Sequence, residues 1–316
     1  MKVGISLPQA GSQATRENVL HMAQMAESEG LDSLWVFERL LWPINPQTPY
    51  VATPDGSLPE EYQIMLDPLE TLTFIAANTN KISLGTSVID MLFHNPVVLS
   101  RRFASLDIFS QGRSIAGFGI GWSKDEFQVS NVPFNNKGKR ADEYVKILKK
   151  IWTEENVEFK GQYYSIPQSK IGPKPVQKPH IPIYLGGFSP NSIKRIIEND
   201  LNGWLGIVGG VAPLGYVEKI IKDLKNEAID ANKNVDNFKV ILLAYPYVRD
   251  NSFVTSDNNN ADRPTLTGTI DEIGMDIKKI KDLGVDHIAF GYNFLPLGKD
   301  IDKMIDLTKQ FSRFTK

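Results

Sequence analysis

The run KISLGTSVIDMLFHNPVVLSRRFASLDIFSQGRSIAGFGIGW, residues 81–122, decides the architecture. Within it, 82–89 and 114–118 are short apolar stretches bounded by polar or glycine positions, the pattern of strands buried on both faces. Between them, 95–109 reads as a helix. Pro96 suits a first turn, and Val97, Val98, Phe103, Leu106 and Ile108 supply a broad apolar face interrupted by Arg101 and Arg102. Ser110-Gln111-Gly112-Arg113 then turns tightly into the second strand. Strand, crossover helix and strand in this order demand a parallel pair with a right-handed connection. Both strands end in unusual backbone sequence, which leaves room for a cofactor.

Outward from this unit the alternation continues to both ends of the chain. Strands are expected near 2–7, 32–37, 82–89, 114–118, 181–185, 203–208, 238–248 and 286–291. Helices are expected near 15–29, 67–78, 95–109, 139–152, 190–199, 213–231, 269–283 and 299–313. AESEGLDSLWVFE (26–38) and IKDLGVDHIAFGY (280–292) repeat one pattern, a helix closed by Gly30 or Gly284 and then an Asp-led apolar strand. Eight strand–helix repeats favour an α/β fold of the (β/α)8 TIM-barrel type, read as one domain over 1–316, above a doubly wound sheet with an appended domain. Long insertions follow strands two, four and seven: 38–66, 154–180 and 249–268 with its DNNNAD stretch. The first and last would overhang the C-terminal face as substrate lids, and VEFKGQYYSI in the second alternates as a small hairpin does.

Composition excludes several classes of function. The net charge of −2 gives no basic footprint for nucleic acid and no polybasic segment for a membrane surface. Nothing approaches the roughly 20 apolar residues of a spanning helix, and strand-like 2–7 begins where a signal peptide would need its charged and apolar regions. The absence of cysteine removes disulfides, thiolate nucleophiles and cysteine-held metals, and fits a cytoplasmic protein.

Two glycine runs carry the candidate chemistry. Gly117-Phe118-Gly119-Ile120-Gly121-Trp122 ends strand four and lets a ligand approach the main chain, although a barrel bend where bulk cannot fit explains it equally. Its spacing and its place at strand four are not those of the dinucleotide motif. Gly186-Gly187-Phe188-Ser189-Pro190 ends strand five and opens a helix, with Ser189 as N-cap and amide groups suited to a phosphate; on local sequence alone an ordinary capped helix start suffices.

Glu38 and Arg39 follow strand two as an acid/base and an anion contact, or as a salt bridge holding the long loop. Asp90 and His94 follow strand three, but no paired spacing with Glu38 marks a metal site. His180 and His287 belong to the opposite face, and His21 lies within a helix. Trp42, Trp122, Tyr245, Tyr247 and Tyr292 are candidates to line a ring-binding pocket. Arg249 and Arg263 fit an anion contact or a solvated surface.

These pieces together resemble the luciferase-like monooxygenase superfamily, (β/α)8 barrels that use reduced FMN or the deazaflavin coenzyme F-420. The likeness rests on LDSLWVFERLLWP (31–43), the run 81–113, GFGIGWSKDEF (117–127), GPKPVQKPHIPIYLGGFSPNSIKRI (172–196), NGWLGI (202–207) and GVDHIAFGY (284–292). ERLLWP and GFSP look closest to the coenzyme F-420-dependent branch. The resemblance implies a non-proline cis peptide at Ser87-Val88 backing the cofactor ring, with Gly119, Ile120 and Gly121 lining the cofactor and Gly186, Gly187, Phe188 and Ser189 holding its phosphate. It implies an oxidoreductase or monooxygenase acting on a small molecule, commonly a homodimer. With FMN a separate reductase and oxygen join the reaction; with the deazaflavin the reaction is hydride transfer. Relatives often carry a histidine where this chain has Arg39, which weakens any mechanism needing that base. A non-catalytic flavin-binding barrel protein is the alternative, and a cofactor-free lyase ranks last, because no lysine lies at a strand end to form a Schiff base.

Overall fold

The computed structural model describes residues 1–210, 212–249 and 263–315. The elements run β1 (Lys2–Ser6), α1 (Arg16–Ser28), β2 (Ser33–Val36), α2 (Pro68–Ala76), β3 (Ser83–Thr86), β4 (Ile89–Asp90), α3 (Pro96–Phe109), β5 (Ser114–Gly119), α4 (Lys124–Val129), α5 (Lys137–Thr153), β6 (Val157–Lys160), β7 (Ser165–Ser169), β8 (Ile183–Gly186) and α6 (Pro190–Glu198). They continue with β9 (Gly203–Val208), α7 (Leu214–Asp230), β10 (Lys239–Ala244), β11 (Tyr247–Val248), β12 (Thr267–Gly268), α8 (Ile270–Asp282), β13 (His287–Phe290) and α9 (Ile301–Ser312). The main sheet runs β3-β2-β1-β13-β10-β9-β8-β5-β4, every pair parallel, and β3 also pairs with β5, which closes the barrel.

Local sequence sets the helix starts. Asp67, Asn95, Ser189 and Thr269 each accept from the first-turn amides of their helices, and Pro68, Pro96 and Pro190 occupy first positions where no N–H is needed. Gly30 and Gly284 take positive φ after α1 and α8, as expected of left-handed caps. The alternating segment forms the antiparallel β6–β7 hairpin beside the barrel. Two expected strands are divided. The third splits into β3 and β4 around the Ser87-Val88 peptide. The seventh stops at Ala244 because Pro246 has no N–H for a ladder, and β11 pairs instead with β12. The DNNNAD stretch lies outside the described residues.

The barrel interior is filled by Trp35, Leu205, Ile241, Leu243 and Ala289, and glycines make space for the indole. A Cβ at Gly85 would lie 2.4 Å from the Trp35 ring, and one at Gly4 would meet Ser33 Oγ at 2.0 Å. The indole N–H donates to Ser33 Oγ (2.7 Å), and that hydroxyl lies 2.7 Å from His287 Nε2. His287 thus belongs to the N-terminal end of the barrel, where β13 begins.

Burial, with the positive charges of Lys2 and the N-terminus, pulls His287 from its ordinary 6.5 down to about 3. The folded state therefore holds the neutral ring while the unfolded chain protonates below 6.5. The stabilisation is whole above that value and is lost as pH falls toward 3, amounting to roughly 5 kcal/mol over the full interval. Denaturant unfolding of His287→Gln should show a shallower loss of stability between these pH limits than the wild type.

Candidate cofactor and active site

The C-terminal barrel mouth is built around the break in strand three. The Ser87-Val88 peptide is cis, as the resemblance implies. Ser87 N donates to the Val36 carbonyl (2.6 Å) and Glu38 N donates to the Val88 carbonyl (3.0 Å), so the bulge hangs from the end of β2. The Val88 side chain lies between two glycine strand ends. A Cβ at Gly119 would fall 2.7 Å from Val88 Cγ2 and 2.1 Å from Asp90 Oδ1; one at Gly186 would fall 3.3 Å from Val88 Cγ1. Gly121 has φ +75°, and Ile120, half-buried between these glycines, packs against the core. The ends of strands three, four and five therefore converge with side chains withheld.

Residues 187–189 run from β8 into α6. Their carbonyls are engaged: Gly187 O accepts from Trp204 Nε1 (2.8 Å) and Phe188 O from the Tyr216 hydroxyl (2.9 Å). The Phe188 ring packs against Trp204 and Tyr216. Ser189 Oγ caps α6 by accepting from Ser192 N (3.3 Å). Among the described residues the amides of 187–189 find no acceptor, and Gly187 has φ +117°. The loop is held by its oxygens and offers its N–H groups, an arrangement that suits an anion.

Glu38 and Arg39 separate into two buried contacts. Arg39 Nη1 meets Glu126 Oε2 at 2.7 Å, with both side chains at most 5% exposed, while Glu126 Oε1 accepts from Leu40 N. The guanidinium lies between the Tyr62 and Trp122 rings, 4.9 and 4.7 Å from their centroids, and its Nε has no partner among the described residues. The geometry shows Arg39 in a salt bridge that holds the long loop, with Glu126 and not Glu38 as its partner. Glu38 Oε1 lies 2.7 Å from His94 Nε2, and Glu38 Oε2 accepts from Asp90 N (3.0 Å). Among the described residues no group of three or more acidic or histidine side chains is arranged to hold a metal.

The loop 38–66 closes over the mouth. Gln9, fully buried, clasps both of its ends: its Nε2 donates to Phe37 O (2.8 Å) and Leu66 O (3.0 Å), and its Oε1 accepts from Phe37 N (2.6 Å). Tyr62 on this loop packs against Phe294, Phe37 and Tyr50, and burial drives its hydroxyl well above the ordinary tyrosine value. The helix α4, which follows Trp122, receives the loop through Glu126 and through Asp125 Oδ2, which accepts from Gln47 N (3.0 Å).

Of the aromatic candidates, Trp122 and Tyr245 do join the mouth, through Tyr50 and Phe294 respectively. The other three do not. Trp42 donates within the lid to Leu58 O, Tyr247 is exposed, and Tyr292 is buried in the core. His180 packs against Trp152 before β8, and His21 is exposed on α1. Arg263, half-buried, pairs with Asp276 (2.8 Å). Ser6, Gln9, Glu126 and Tyr62 had no mark in the sequence as mouth residues. Ser6 Oγ is buried without a partner among the described residues, 3.5 Å from where a Gly291 Cβ would stand.

Comparison with known proteins now bears on this site. The family described as luciferase-like monooxygenase matches residues 1–287. An uncharacterized protein of Mycobacterium tuberculosis is 34% identical over 184 residues, a match that spans 58% of this chain and 65% of the relative's length. An F-420-dependent glucose-6-phosphate dehydrogenase of Amycolatopsis mediterranei is 29% identical over 256 residues, 79% of this chain and 70% of that one. The crystal structure of a monooxygenase from Streptomyces bottropensis superposes with a TM-score of 0.79 at 21% identity, covering 99% of this chain and 98% of the other, which shows the shared fold. The fold and mouth define an α/β TIM barrel with a glycine-lined C-terminal opening. The chain belongs to the luciferase-like monooxygenase family.

Removing one partner of the Arg39–Glu126 pair strands a charge in a dry site. Arg39→Met should lower the unfolding free energy by about 3–5 kcal/mol, and adding Glu126→Leu should restore part of it. Denaturant titration of the two variants checks both signs.

Proposed function

We propose that this chain is an oxidoreductase that binds FMN or coenzyme F-420 across the barrel mouth and acts on a small organic substrate held under the 38–66 loop. The observation that carries the reading is the position of Val88, bordered by both Gly119 and Gly186. One planar ring laid against Ser87 and Val88 would touch Gly119, Ile120 and Gly121 on one side. On the other it would extend toward Gly186, Gly187, Phe188 and Ser189, and the free amides of 187–189 suit its phosphate. The unpartnered Ser6 hydroxyl adds a polar group that such a ligand would satisfy.

When bound, the cofactor supplies redox chemistry that protein side chains do not perform. This chain's contribution is orientation and exclusion of water. The glycines permit close approach, the GGFS loop fixes the phosphate end, and Gln9, Tyr62 and the Arg39–Glu126 pair hold the lid in place. Coenzyme F-420 is the cofactor we place first, on the likeness to the Amycolatopsis dehydrogenase and on ERLLWP and GFSP. We further read residues 1–316 as one barrel domain, working in the cytoplasm as a homodimer, with a separate flavin reductase if FMN is the cofactor.

Titration with oxidised and reduced FMN and F-420, followed by fluorescence, tests this. One of them should bind, and Gly119→Val should weaken it at least ~10-fold, the equivalent of about 1.4 kcal/mol. Failure of both cofactors to bind would overturn the reading, and tight binding without turnover of any substrate would favour the non-catalytic alternative.

A further inference from the structure

Behind the glycine cradle lies a closed group of charges that the proposed binding mode leaves unused. The Asp90 carboxylate packs on Gly119 and accepts from Gly121 N (2.9 Å). Glu38 holds Asp90 N with one oxygen and His94 Nε2 with the other. Glu126, paired with Arg39, faces this group from α4; Lys137 faces it from α5 and donates to Gly121 O (2.9 Å). Tyr144, also on α5, donates its hydroxyl to the His94 carbonyl (3.2 Å).

The charges do not cancel. Glu38, Asp90 and Glu126 are three carboxylates against two cations, Arg39 and Lys137, so one added proton, on Asp90 or His94, makes the cluster neutral. A dry site favours that neutral state. The Glu38–His94 contact must itself contain a proton, because a carboxylate oxygen and a bare ring nitrogen are both acceptors. Burial, reinforced by the negative charges of Glu126 and Glu38, pushes Asp90 from its ordinary 3.8 up to about 7. His94 has an outlet to solvent. Its side chain is 19% exposed and lines a cavity of about 300 Å³ bounded by Asn95, Val132, Arg140 and Tyr164.

We infer that Asp90, Glu38 and His94 are a proton store for the cofactor site, filled from solvent through the cavity beside His94. The store is a property of the free protein; its use rests on the cofactor reading above. An anionic cofactor seated over Gly119 adds negative charge and displaces water, and both effects raise the proton affinity of the cluster. Binding therefore draws a proton in from solvent.

Infrared titration of the free protein should show a carboxylic acid that ionises near pH 7. Labelling with carbon-13 aspartate should shift its band, an assignment that needs no variant, and Asp90→Asn should abolish it. Absence of a protonated carboxyl one unit below that pH would overturn the proposal. Calorimetry of FMN and F-420 binding, in buffers of different ionisation heat, should report uptake of up to about half a proton at pH 7, rising just above that pH and fading two units below it. His94→Gln, which keeps a donor on Glu38 but cannot relay a proton, should slow that uptake. A cofactor that binds with equal proton counts in wild type and Asp90→Asn would overturn the proposal. A titrating carboxyl with no cofactor binding would uphold the store and remove the cofactor reading instead. A merely structural Asp90 would affect stability but neither the band nor the proton count.

Discussion

Two charges with almost no access to water hold the functional end of this barrel together. Arg39, just past the second strand, and Glu126, on the short helix after the fourth, meet where transfer from water is expensive and removal of either partner more so. Each has a second duty. The Arg39 guanidinium separates Tyr62 from Trp122, so it sets the spacing of the aromatic wall. Glu126 receives the lid backbone at Leu40 and, through its charge, helps make Asp90 a weaker acid. Lid position and proton affinity are thus joined at one contact.

Much of the barrel was legible in the chain because its signals are local. Apolar runs, capping residues and helix-closing glycines recur in order, and the unit at 81–122 alone dictates a parallel crossover. What escaped was the detail at the strand ends. The third strand reads as one continuous apolar run; the resemblance marked the cis peptide at Ser87-Val88, but not that Ile89 and Asp90 beyond it rejoin the ladder beside β5. The seventh carries its own stop signal in Pro246, passed over in favour of the flanking tyrosines and valine. Helix α4 has only six residues, too few for periodicity to be visible.

The site was legible as backbone and obscure as side chains. Glycines at the ends of strands four and five announce close approach wherever they occur, and the structure brings both to Val88. Charged partners carry no such announcement. Arg39 and Glu126 are 87 residues apart, and Glu38 and His94 are 56 apart, so neither pairing has a spacing to detect. Ser6 and Gln9 look like ordinary polar residues at and just past the end of the first strand. Conversely, Tyr292 looked available at a strand end, but its ring faces the helical layer, a distinction set by strand direction and twist and not by composition.

The clasp made by Gln9 separates two evolutionary problems that a loop over an active site would otherwise pose together. Since one buried amide fixes both feet of the 38–66 segment, the stretch between them can change length or composition while its anchorage stays the same. On the function proposed above, substrate preference can therefore drift from one descendant to another as a cassette, with the cofactor platform inherited intact beneath it.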